Sequence, residues 1–154
     1  MQFYDALPVL AVLCTGVVYG VDVFFAVIGR RALAESTDAS IVDVMGRIHQ
    51  FADTRMPVFG VTGLLATISF AVVSPVGTLV SWLALIAIAG WLVQLILYLT
   101  VAKPINTNMT EAAQQREVPA NLRELQNRWD SVIGARAIAM TLSIGCLVIA
   151  TSLC

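Results

Sequence analysis

The chain has 154 residues, of which 58% are hydrophobic and 12% charged, and its formal net charge is -1. Soluble globular domains carry about 25% charged residues, so a water-soluble fold is excluded, and the absence of a basic patch excludes a nucleic-acid partner. Several apolar runs reach the roughly 20 residues of a membrane-crossing helix, which makes the expected fold an all-α bundle of four transmembrane helices in one domain covering residues 1–154.

The first span is expected from about 7 to 28. Phe3 and Tyr4 precede it and suit an interfacial aromatic belt. The N-terminus lacks the basic region of a signal peptide, so this run is expected to remain as an anchor. Gly16 and Gly20 form a small-xxx-small pattern that suits close helix packing. Asp22 sits well inside the run, on one helical face with Thr15 and Tyr19.

Between the first and second spans the chain is more polar. Ser36-Thr37-Asp38 offers an N-cap. Ile41, Val44, Met45, Ile48 and Ala52 recur at helical spacing, which predicts an interfacial amphipathic helix from Ala39 to about Asp53. His49, the only histidine, flanks that stripe. Pro57 is expected to open the second span, 57–73. Ser74-Pro75-Val76-Gly77 is a tight turn, so the second span and the third, 78–101, form an antiparallel hairpin. Gln94 and Tyr98 share a face of the third span. Lys103-Pro104 is expected to stop it, with a polar connection to about Val118. Pro119 starts a last helix that becomes membrane-spanning over about 130–152.

Arg30, Arg31, Arg47 and Arg55 flank or lie in the first connection, and Lys103, Arg116, Arg123, Arg128 and Arg136 flank or lie in the third. The positive-inside rule places both connections in the cytoplasm and both termini outside, in the cell (inner) membrane. A functional site is therefore expected at the cytoplasmic end.

Asp22 and Arg136 are ionisable groups at membrane depth, which usually face a cavity or each other. The competing reading of Asp22 is a structural ion pair with Arg136 or Arg55. His49 suits a general base near neutral pH or an axial haem ligand, and a packed interfacial histidine is the plain alternative. One histidine cannot build the usual zinc or di-iron sites, and Cys14, Cys146 and Cys154 lack metal-ligand spacing and read as apolar filler. Gln94, Tyr98, Asn106, Asn108 and Trp129 complete the candidate substrate contacts, together with Tyr19 and Arg55.

Pro104-Ile105-Asn106-Thr107-Asn108-Met109 and Arg128-Trp129-Asp130-Ser131-Val132-Ile133-Gly134-Ala135-Arg136 resemble motifs of the anthrone oxygenase-like family of small four-helix membrane proteins. These stretches match that family's Pro-x-Asn pattern and its Arg-Trp pair followed by an Arg two turns on. Ile133 stands where many members have a histidine. The resemblance implies cofactor-free oxidation of a lipophilic aromatic molecule by O₂. His49 or Asp22 would be the base, with Asn106, Asn108 and Arg136 as oxyanion donors. Two alternatives stay open. One is a haem protein with His49 as ligand and Arg47, Arg55 or Arg136 on the propionates. The other is a non-enzymatic membrane subunit. Expected partners are a lipophilic small molecule, O₂ and membrane lipids, and assembly into a homo-oligomer stays open.

Overall fold

The computed structural model describes residues 3–153, with side chains from Ala6 onward. Phe3 and Tyr4 as belt residues, and the reading of Cys154, lie outside the described side chains. Four helical rods follow one another, and no strand occurs among the described residues. The first rod is α1 (Phe3–Phe24), a π-helical turn (Phe25–Gly29) and α2 (Arg30–Ala34). The second is α3 (Asp38–Val73). The third is α4 (Leu79–Leu97), a second π-helical turn (Tyr98–Ala102) and α5 (Lys103–Gln115). The fourth is α6 (Leu122–Ser152).

All four rods are long and apolar enough to cross a membrane. Their outer faces carry exposed Leu, Val, Ile and Phe side chains, as lipid contact requires. α1 packs on α3 and α6, α3 on α4 and α5, and α4 on α6, so neighbours in sequence are antiparallel neighbours in space. Lipid tails are as apolar as leucine, so close packing replaces the hydrophobic effect as the force that joins the rods. The tight approaches are not at the predicted pair. A Cβ on Gly20 would meet nothing and one on Gly16 only Ile144. Gly46 instead lies against Met109 and Ala113, Gly63 against Trp91, and Gly90 against Ser143 and the Ala139 backbone.

Three expectations are revised. The segment from Ala39 to Asp53 is not a separate helix, because α3 runs unbroken through Pro57. Thr37 caps it, accepting from the Ser40 N–H at 3.3 Å. Its buried stripe is Ile41, Val42, Met45 and His49, while Val44 and Ile48 are exposed. The predicted stripe was rotated, and His49 lies within the true one. The burial of this half of α3 against α5 holds it upright. Likewise, Lys103-Pro104 does not stop the third rod. Pro104 sits in the first turn of α5, directly after the wide π turn, where its missing N–H is tolerated. The rod ends instead at Arg116, in the left-handed conformation with φ 58°. α6 starts at Leu122 rather than at Pro119, whose carbonyl accepts from the Leu122 N–H in a preceding turn.

At about 1.5 Å per residue, the 36 residues of α3 extend well beyond a hydrocarbon core of about 30 Å. The excess length of the rods gathers at one end. There Arg123 donates to the Asp38 carboxylate at 2.7 Å, the Ser36 carbonyl at 2.7 Å and the Leu33 carbonyl at 3.3 Å, tying the first connection to the start of α6. The first and third connections therefore share an end, opposite the Ser74–Thr78 turn.

Candidate functional site

The polar residues of the interior fall into two linked groups. Arg136 on α6 is the centre of the first. Its Nη2 donates to Asp22 Oδ1 at 2.7 Å, and its Nε donates to Gln94 Oε1 at 2.8 Å. One guanidinium thus joins α1, α4 and α6. A buried charge is tolerated when it is paired and hydrogen-bonded, and Arg136 is paired with Asp22 and hydrogen-bonded to Gln94. The same group lies 6.0 Å from the Tyr98 ring centroid.

Asp53 on α3 is the centre of the second. Its Oδ1 accepts from Tyr98 Oη at 3.0 Å and from Asn106 Nδ2 at 2.9 Å. Asn106 Oδ1 accepts in turn from Trp129 Nε1 at 3.0 Å. The chain of bonds fixes the Trp129 indole, which packs edge-on against Phe25 with 5.3 Å between ring centroids and lies tilted against the His49 ring at 5.6 Å. Trp129 is therefore an interior residue, not a membrane-interface anchor. Arg128, one position before it, is exposed.

Both groups border one cavity of about 370 Å³. Ligand pockets commonly run from roughly 300 to 1,000 Å³. Most of its wall is apolar, from Val18, Val21 and Phe25 on α1 and its π turn, through Met56 and Leu64 on α3, to Trp91 and Leu95 on α4. Three polar atoms in this wall are buried and have no hydrogen-bond partner among the described residues. They are His49 Nε2, Asp22 Oδ2 and Trp91 Nε1. Leaving such an atom unmet costs about 1–3 kcal/mol, and folded proteins retain few of them. Three on one cavity make it the candidate site. Thr15 Oγ1 and Gln126 Oε1 share the condition but lie outside the lining.

Seven of the ten residues singled out from sequence line this cavity: Asp22, His49, Gln94, Tyr98, Asn106, Trp129 and Arg136. Three do not. Tyr19 packs with Val18, Trp91 and Met140 in the core beside it. Arg55 is exposed and lies 5.3 Å over the Phe51 ring. Asn108 is exposed, on a separate surface cleft near Glu111 and Asn121. Arg47 also lies apart from the cavity, paired with Asp43 at 2.8 Å on the exposed surface. Of the guanidinium groups assigned to haem propionates, only Arg136 reaches the cavity, and it is already engaged. Ile133 is fully buried in the cluster that holds Phe25 and Trp129.

Asp53 and Trp91 were missed. Asp53 is four residues after His49, and Trp91 is three before Gln94, so helical spacing puts each near a residue already chosen. Among the described residues no three His, Cys, Asp or Glu side chains gather in the manner of a metal site. The fold is a four-helix bundle of the membrane-spanning class, with a largely apolar internal cavity. No family model, curated protein or solved structure matches the chain.

Proposed function

We propose that the cavity binds a lipophilic aromatic molecule and promotes its oxidation by O₂ through deprotonation. The observation that carries this is the pair of unpartnered acceptor-capable atoms, His49 Nε2 and Asp22 Oδ2, on an otherwise apolar cavity. His49 is the base. Asp22 is committed through its other oxygen to Arg136 and holds that guanidinium in place. The resemblance to the anthrone oxygenase-like family supports the same choice of chemistry.

The reaction needs no external reductant. His49 takes a proton from the benzylic CH₂ of an anthrone-type substrate, leaving an aromatic-stabilised anion. O₂ adds to that carbon, forming a C–O bond, and the resulting peroxide anion takes up a proton. Loss of water across the O–O bond and the remaining C–H leaves C=O. The sum is CH₂ + O₂ → C=O + H₂O. The Arg136 guanidinium, 6.0 Å from the Tyr98 ring, stabilises the anionic oxygen of the intermediate by its charge. Asn106 is less suited to that task than the sequence implied, because its amide is engaged with Asp53 and Trp129.

The extended, basic end of the bundle lies in the cytoplasm and both termini lie outside, by the positive-inside rule. Oxygen uptake by detergent-purified protein supplied with anthrone tests the function. A positioned general base contributes about 10²–10⁴-fold, so His49→Ala is expected to lower the rate by that range while the melting temperature changes little. Uptake that is equal in both proteins removes His49 as the base. A Soret band in the purified protein that is lost on His49→Ala points instead to haem.

A further inference from the structure

We propose that the cavity loads sideways from the bilayer, through an apolar window between α3 and α4, and that its ligand is an uncharged lipophile carrying a hydroxyl group. This rests on the cavity being a small-molecule site, but not on the oxidation chemistry.

The helix packing creates the window. α3 is pressed against the third rod at two glycines. Gly63 faces the Trp91 ring, and Gly46 faces the Met109 carbonyl and Ala113. Between these two points the one glycine, Gly60, makes no such approach, and Asp53 reaches the third rod through its hydrogen bonds with Tyr98 and Asn106. The cavity reaches the lipid-facing surface there, between Gly60 and Val61 on α3 and Leu95 and Leu99 on the third rod. Val61 is 57% exposed and Leu99 49%. A Cβ on Gly60 would meet no atom within 4 Å, so this glycine leaves open space at the sill rather than a packing contact. Val61, Leu95 and Leu99, the side chains of this rim, are apolar, so a charged solute in water has no route between them; Lys103, an exposed basic residue of the same lining, lies one turn beyond Leu99 toward the polar end. The buried part of the lining supplies His49 Nε2 on α3 and Asp22 Oδ2 on α1, His49 being 3% exposed and Asp22 0%. A hydroxyl hydrogen satisfies either acceptor, whereas a plain hydrocarbon satisfies neither.

The protein in lipid vesicles is mixed with 2-(hydroxymethyl)anthraquinone, an uncharged probe whose hydroxyl is free to donate, and binding is followed by quenching of tryptophan fluorescence, since Trp91 and Trp129 border the cavity. Gly60→Leu and, separately, Val61→Phe narrow the window. Either should slow association and dissociation together by tenfold or more, with Kd changed less than twofold. Val72→Phe, at a lipid-facing position outside the lining, should change neither rate. Unsubstituted anthraquinone should bind at least tenfold more weakly, and water-soluble anthraquinone-2-sulfonate should not bind. Unchanged rates in both window variants, or equal binding of the sulfonate, overturn the window. Equal binding of unsubstituted anthraquinone overturns the hydroxyl requirement. Absence of quenching by any probe overturns both the window and the small-molecule site. Normal window behaviour without oxygen uptake removes only the oxidation chemistry.

Discussion

Asp22 and Arg136 are the pair on which the interior depends. Either charge would be costly in the bundle alone, and each is nearly fully buried. Removing one partner of a buried ion pair costs about 3–5 kcal/mol, mostly because the other is left unpaired. Asp22→Ala is therefore expected to lower stability by about that amount in a detergent unfolding titration. Replacing both together, with Asp22→Leu and Arg136→Met, should recover most of the loss. If the double variant is no more stable than the single one, the pair is not the source of the effect. Asp22 and Arg136 were each visible in the sequence as costly charges in apolar runs, and their pairing was among the alternatives considered. Asp53 was not visible in this way. It falls in a polar segment where an acid is unremarkable, and only the partners brought by the third rod, Tyr98 and Asn106, give it a role. Arg55 and Asn108 show the converse: polar residues near the right level of the bundle, but on the wrong side of their helices.

At the scale of elements, the two π-helical turns bear on the site. Phe25 opens one and Tyr98 the other, and both border the cavity. A π turn holds one residue more than the α-helix around it. It shifts the downstream face by about 100°, the angle per residue of a 3.6-residue turn. α4 can thus present Trp91 and Gln94 to the cavity while α5 presents Asn106 to the same space. Deleting Thr100 removes the extra residue and should leave Asn106 facing Asp53 on a regular α-helix, whereas inserting one alanine after Thr100 should rotate Asn106 by about 100° away from Asp53. In the insertion variant helicity by circular dichroism should be retained while quenching by 2-(hydroxymethyl)anthraquinone falls at least tenfold, and retained binding would show that the angle of this face does not set the site. The four spans were legible because their apolar runs are long and uniform. The π turns were not, since Phe-Ala-Val-Ile-Gly and Tyr-Leu-Thr-Val-Ala look like any apolar helix. The sole hint is Gly29, where a Cβ would strike the Phe25 ring. The prolines misled for a related reason: Pro57 and Pro104 have breaker chemistry, but in a packed bundle neighbouring helices and a widened turn accommodate them.

The whole molecule is a bundle longer than the membrane that its composition suits. Polarity marked the segments around 39–53 and 103–118 as leaving the bilayer, and they were expected as an interfacial helix and a loose connection. They are instead continuations of the same rods, because Ile41, Val42, Met45, Ile105 and Met109 give them a core of their own. Periodicity can identify such a helix but not whether it lies flat or stands up. That depends on a partner distant in sequence. The window between α3 and α4 lies near where the rods pass from their uniformly apolar part to this polar extension. Its depth in the bilayer is consequently a property of the lipid as much as of the protein. A thin bilayer adjusts to a long apolar stretch by tilting the helices or thickening around them. Entry of 2-(hydroxymethyl)anthraquinone should accordingly depend on acyl-chain length. It should be fastest where the hydrocarbon covers Val61 and Leu99, and slow in vesicles of short-chain lipid that leave the rim against headgroups and water. A rate independent of chain length would mean that the rim does not meet the acyl chains. Through Gly60 and its neighbours, the thickness of the surrounding membrane becomes a control on supply to the site, with no regulatory domain or effector needed.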